Sequence, residues 1–245
     1  MGDISTAQAY LSDLAARMAG LLDINAAAIA AAASAIQRTA EADGLVYVFG
    51  TGHSHTMAEE VHYRAGGLAL TVPILAAVTM VHEGAVAGTA YERIPGLVAN
   101  VFARYPISNR DVLVVVSNSG INAAPVEAAQ YGKDRGATVI ALTSVEYSSQ
   151  AANGRPRIAD IADIVLDNLS PAGDAVMTLP RTEMRAGPVS TSLGAALLNA
   201  VLSEAAARLQ ASGFVAPIYR SANMPGANEV NQALVSRYRP RNPHL

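Results

Sequence analysis

The chain has 245 residues, 51% of them hydrophobic and 15% charged, and no cysteine. A chain of this size buries roughly 70–75% of the surface that it exposes when unfolded, so it can hold a core without staples. The absence of cysteine excludes disulfides, Cys-zinc sites and thiol nucleophiles. With 17 Lys and Arg against 20 Asp and Glu, the formal charge is −3 and the pI is near 5.9. The basic footprint of a protein that neutralises many backbone phosphates is missing, and nucleic acid is not an expected partner. The first residues carry no basic run of a secretory leader, and the apolar stretch 24–36 is Ala-rich and interrupted by Asn25 and Ser34. No membrane association and a cytoplasmic location are therefore expected.

In chain order, residues 7–41 favour helix, with Tyr10, Leu11, Leu14, Met18, Leu21 and Leu22 recurring at three- and four-residue steps. Two helices with a break near Gly20 fit this pattern. After Asp43-Gly44, short apolar runs at 45–49, 68–75, 112–116, 137–142 and 161–166 alternate with helical stretches. Continuous apolar runs of this length are the mark of strands buried on both faces, which predicts an α/β, doubly wound parallel sheet of five strands. Residues 97–104 have helical tendency, 170–187 read as a Pro- and Gly-rich loop excursion, and a long helix follows over 189–210. The Ser190-Thr191-Ser192 cluster is placed to cap it. A short helical piece near 229–238 lies in the tail. The expected organisation is N-terminal helices over 1–43, packing on the domain or on a second subunit, the α/β domain over 44–212, and a tail over 213–245.

Two loops carry the chemistry. The first strand ends in Gly50-Thr51-Gly52-His53-Ser54-His55, and its glycines permit a tight turn that points amides and the Ser54 hydroxyl at an anion. A dinucleotide fingerprint fails here, because the third glycine is absent and the second strand carries no acidic residue for a ribose. No G-x-S-x-G elbow is present either. The third strand ends in Ser117-Asn118-Ser119-Gly120-Ile121-Asn122 and again enters a helix. With strand order 2-1-3-4-5, the two loops face one crevice at the switch point, where hydroxyls and helix N-termini can hold a phosphate without Lys or Arg. Taken singly, Ser117, Ser119 and Asn122 also read as simple helix caps. Asp167, Asn168 and Asp174 follow the fifth strand on the same side and can meet sugar hydroxyls, whereas Arg181, Glu183 and Arg185 read as a solvated stretch.

The order of these motifs, with Ala141-Leu142-Thr143-Ser144 and the last long helix, resembles the sugar isomerase (SIS) domain family over most of the chain, to about Leu209. Within that family the sequence is similar to the phosphosugar isomerase group related to phosphoheptose isomerase and N-acetylmuramic acid 6-phosphate etherase. The resemblance implies a flavodoxin-like sheet, a phosphorylated sugar as ligand, and a homo-oligomer with its site near a subunit interface. It further implies that Ser54, Ser117, Ser119 and Asn122 hold the phosphate, with Gly52, His53, Asn118, Gly120, Thr143 and Ser144 completing the binding set. Aldose–ketose isomerisation through an enediol needs a base and an acid. The candidates are Glu83 as base, His82 as acid, and Glu60, which as the residue four before Arg64 can equally form a surface ion pair. Related members carry a carboxylate ten positions after the loop serine, where this chain has Arg64. A phosphosugar-sensing protein without turnover, and a lyase or etherase on an amino-sugar acid phosphate, are the alternatives. Phosphoheptose isomerases use zinc, but His53, His55 and His62, with Glu59 or Glu60, lack ligand spacing. No metal and no cofactor are expected.

Overall fold

The computed structural model describes residues 4–245. Its first element is a single helix, α1 (Ser5–Glu41), about 55 Å long at 1.5 Å per residue. The break expected near Gly20 is absent: the helix penalty of one glycine, roughly 1 kcal/mol, is outweighed by packing along α8 (Ser190–Ala211) and against β5 (Ile164–Asp167). The length and apolarity of α1 would suffice to cross a bilayer, yet here it forms part of the core. Leu21, Ala32, Ala33, Ala35 and Ile36 are buried. Asn25 fastens α1 to the sheet edge: its side-chain amide donates to the Leu21 and Asp167 carbonyls at 2.9 Å, and its Oδ1 accepts from the Asp167 amide at 2.8 Å.

The sheet contains β1 (Val46–Gly50), β2 (Thr71–Ile74), β3 (Val112–Val116), β4 (Thr138–Thr143) and β5, all parallel, in the expected order β2-β1-β3-β4-β5. Every residue of β1 and β3 is buried, which explains their unbroken apolar character. Gly50 pairs with Val116, so the two loops leave the sheet at one level. α2 (Thr56–Glu60) follows β1, and α5 (Ala123–Asp134) follows β3. They take opposite faces. Gly132 of α5 lies against Leu113 and Val139, whereas Gly194 of α8 lies against Met57 of α2 and Leu142, and residues 139 and 142 of one strand point to opposite sides. α3 (Val81–Tyr91) and α4 (Leu97–Phe102) connect β2 to β3, and α6 (Val145–Ala152) and α7 (Ile158–Ile161) connect β4 to β5.

Three boundaries differ from the sequence expectation. Residues 68–70 precede β2: Leu68 and Ala69 pair with the tail, through a Leu68–Ile218 bridge and the Ala69 amide donating to the Pro217 carbonyl at 2.7 Å, and the Leu70 carbonyl accepts the Val46 amide at 3.0 Å. Ile161 ends α7 and β5 begins at Ile164. The 170–187 excursion contains an antiparallel hairpin, β6 (Ala175–Thr178) and β7 (Arg185–Pro188). Its Ala, Gly and Pro content carries little strand signal.

The tail holds α9 (Ala227–Tyr238) and then docks across the β2 edge. Arg237 and Arg241 pair with Asp43, which holds its carboxyl below the usual range, chiefly through the Arg237 hydrogen bond. His244 stacks on Tyr105, with ring centroids 6.0 Å apart, and its Nε2 lies 3.0 Å from the Arg104 guanidinium. Burial first, and then the charge of Arg104, lower its pKa from 6.5 to about 4. An unfolded chain binds this proton at higher pH than the folded one does. The contribution of a neutral His244 is thus complete above pH 6.5 and disappears as pH falls toward about 4. The stability difference between the wild type and His244→Phe should accordingly shift against the wild type between pH 7 and pH 4.5 in urea unfolding. Parallel pH profiles for the two proteins would refute this assignment.

Candidate functional site

β1 passes through Thr51 into a 3-10 turn, Gly52–His55, which leads directly into α2. The turn closes through the Ser54 amide, which donates to the Thr51 carbonyl at 3.0 Å, and the Thr56 hydroxyl, which donates to the His53 carbonyl at 2.8 Å. His55 points inward and is buried, whereas His53 is exposed. After β3, Ser117 accepts the Gly120 amide at 3.1 Å and so shapes its own loop. The Asn118 Oδ1 accepts from the Asn168 side chain at 3.0 Å and the Ser170 hydroxyl at 2.6 Å. That network leaves the Asn118 amide hydrogens uncommitted among the described residues.

A narrow crevice opens between these loops and the first turn of α8. Its walls include His53, Ser54, Asn118, Asn168, Ser190 and Thr191, with Met57 and Leu142 below. None of its lining residues is Lys or Arg, and none is a carboxylate. The amides of Thr191 and Ser192 have no acceptor among the described residues, and they stand at the positive end of a 22-residue helix. The crevice therefore offers hydroxyl, amide and helix-end donors to an anion.

The serine cluster expected to cap α8 does so only indirectly. Asp174, from the loop before β6, accepts the Val189 amide at 3.1 Å and the Ser190 amide and hydroxyl at 2.7 Å each. The cap thus comes from another segment, and Thr191 is left to the crevice. A second carboxylate, Glu92 at the end of α3, ties the two loops together: it accepts the Thr51 hydroxyl at 2.5 Å and the Asn122 side-chain amide at 2.8 Å. Glu92 carried no sequence signal, since its partners are 41 and 30 residues away.

The remaining site residues separate into two groups. His53, Ser54 and Asn118 line the crevice; Gly52 and Gly120 shape its loops with positive φ, and Ser119 is half-buried in the second loop. Asn122 is turned to Glu92. Thr143 and Ser144 are buried and committed: the Thr143 hydroxyl donates to the Asn118 carbonyl at 3.1 Å, and Ser144 donates to the Ser170 carbonyl at 2.7 Å while accepting the Tyr147 amide at the start of α6. Asp167 accepts the Val145 and Leu169 amides. Glu60 pairs with Arg64 and accepts from Asn199 at 3.0 Å. Asn199 is five residues, about 7.5 Å, along α8 from Gly194 at the edge of the crevice, and Glu60 is not among the residues that line it. His82 and Glu83 sit in the exposed first turn of α3, 3.9 Å apart.

A crevice at the switch point of a 2-1-3-4-5 sheet, walled by a serine loop on each central strand, defines a SIS-type domain. The family model of the SIS domain matches residues 9–144. The chain belongs to the UPF0309 family of SIS domain proteins. It is 57% identical over 236 residues to a UPF0309 protein of Brucella canis, covering 96% of this chain and 97% of that one. A UPF0309 protein of Brucella anthropi is 56% identical over 236 residues, with the same coverage. Among solved structures, a phosphoheptose isomerase from Francisella tularensis superposes with a TM-score of 0.55 at 18% identity, covering 84% of this chain and 98% of that chain. A phosphoheptose isomerase from Neisseria gonorrhoeae gives 0.52 at 20% identity, covering 82% and 97%. At these identities the likeness is one of fold.

Proposed function

We propose that the protein binds a phosphorylated sugar in the crevice and isomerises it between aldose and ketose through an enediol. The observation that carries this reading is the crevice itself. Ser54, Asn118, Thr191 and the uncapped amides of α8 form a donor set for a phosphate without a fixed cation. Ser119 and the backbone of its loop add to that set. His53 and Asn168 meet the sugar hydroxyls. Glu83 is the base and His82 the acid in this reading, both exposed in the first turn of α3 and outside the residues that line the crevice.

A homo-oligomer fits the exposed apolar residues Leu11 and Leu22 of α1 and Val86 of α3, which a second copy would cover. A cytoplasmic location goes with a sugar phosphate as ligand. Phosphosugar sensing without turnover is the second reading. It is favoured by the lack of a carboxylate in the crevice wall and by the pairing of Glu60 with Arg64.

The deciding experiment incubates the protein with pentose, hexose, heptose and amino-sugar phosphates in D2O and follows mass and connectivity. Isomerisation is expected to place deuterium on carbon with an aldose–ketose shift. Loss of a substituent would indicate a lyase or etherase instead. Binding of a sugar phosphate with no exchange and no conversion would overturn the isomerase reading in favour of sensing.

A further inference from the structure

Beside the first crevice loop, three side chains from three elements converge. His55 ends the 3-10 turn, Glu59 lies one helical turn further along α2, and His82 opens α3. Their donor atoms all lie within 4.8 Å of one another. The rings of His55 and His82 meet edge to face, with centroids 5.5 Å apart.

The state of His55 gives this cluster its meaning. The ring is 2% exposed, and its Nδ1 is hydrogen-bonded to the Gly52 carbonyl. A carbonyl only accepts, so the proton of that bond is on Nδ1, and Nε2 is the ring nitrogen left to serve as a ligand atom. Nε2 lies 3.7 Å from Glu59 Oε1. A positive centre between them, a ring proton or a metal ion, would draw the two together. A backbone carbonyl on the far nitrogen is also the usual support of a metal-ligating histidine, because it fixes both tautomer and ring orientation.

We propose that His55, Glu59 and His82 bind one divalent transition-metal ion of the zinc type. Two imidazoles and one carboxylate are a borderline donor set suited to Zn²⁺ or Co²⁺ and poorly suited to Mg²⁺ or Ca²⁺. A tetrahedral ion 2.0–2.1 Å from each donor needs donors about 3.3 Å apart. His55 is fixed, so the contraction falls to Glu59 and His82, whose side chains are 46% and 57% exposed and free to change rotamer. Three protein ligands leave a fourth position open, the arrangement of a metal site that admits water or substrate. Glu83 adds a further negative charge beside the cluster, 3.9 Å from His82. His53 and Ser54 of the same turn line the crevice, so an ion at His55 would lie one residue from the proposed phosphate site.

The sequence groups His53, His55 and His62 with Glu59 or Glu60; the structure keeps His55 and Glu59 together and brings in His82 in place of the other two histidines. His53 lines the crevice, and His62 packs against His244 instead. The inference also goes beyond the isomerase reading and, where the ion is bound, changes the part of His82 from proton donor to ligand. Metal binding without sugar tests it independently of turnover.

The experiment uses untagged, chelator-stripped protein titrated with Zn²⁺ by calorimetry and with Co²⁺ by visible absorption. The expected result is one equivalent per chain and a tetrahedral Co²⁺ spectrum. His82→Ala and Glu59→Gln alter exposed side chains, so both should fold as the wild type does by circular dichroism. Each should weaken Zn²⁺ binding by at least roughly 100-fold, the upper end of what losing even an outer partner of a ligand costs. His62→Ala should bind as the wild type. Absence of saturable Zn²⁺ binding, or binding that survives in His82→Ala and Glu59→Gln, would overturn the site whether or not the protein turns over a sugar.

Discussion

Alanine at Gly50 is expected to destabilise the protein by about 3 kcal/mol or more, the upper end for overpacking, because backbone pressed against backbone has no rotamer to relieve it. A Cβ there would stand 2.5 Å from the carbonyl carbon of Ser54 and closer still to its oxygen. The 3-10 turn folds directly back over the end of β1, and only a hydrogen fits between. Gly52, two residues on, is a glycine for a different reason. Its φ is +55°, but nothing lies within 4 Å of a Cβ built on it. Gly52→Ala should therefore cost only the left-handed backbone penalty, about 1–2 kcal/mol. Urea midpoints of the two variants separate these causes. Equal losses would show that the turn does not close on Gly50 as described.

Asp174→Ala should cost about 2–3 kcal/mol, the loss of a charged helix cap with three bonds to one carboxylate. The residue has φ +60°, a conformation that Asn tolerates better than Ala, and the amide oxygen of Asn can still accept from the helix end. Asp174→Asn should recover at least half of the stability. The same substitution reaches the crevice, since Ser190 is held by Asp174 and forms part of its wall. A stability change below about 0.5 kcal/mol, the range of ordinary surface substitutions, would mean that α8 starts well without this cap.

The strands at the centre of the sheet are legible because burial on both faces demands unbroken apolar runs: the apolar run Val112 to Val116 is wholly buried and coincides with β3. Their edges are less so. Leu68 and Ala69 are as apolar as a strand, yet the chain turns them to Pro217 and Ile218 of the tail. Nothing local distinguishes the two fates. The hairpin β6–β7 is half-exposed, with Gly187 and Pro188 in its second strand, and its pairing is decided by docking rather than by propensity. Helix α1 shows the reverse case, in which a local breaker is overridden by a partner far along the chain: it packs on α8, whose Arg208 bonds to the Ala30 carbonyl across 178 positions.

For the site, the sequence by itself determined the two loops, their serines and glycines, and the switch-point crevice that they face, because each follows from a strand end and its next few residues. Only the tertiary structure decided which polar groups remain free. Ser144 and Thr143 look like site residues in the sequence but spend their hydroxyls on neighbouring carbonyls, whereas Thr191 is released by Asp174, which caps α8 from outside it. Glu92 joins Thr51 to Asn122, and His82 meets His55 across 27 positions of sequence. Hydrogen-bond capacity and ligand geometry are properties of groups close in space, so a pattern along the chain can name the candidates but cannot show which of them are already satisfied.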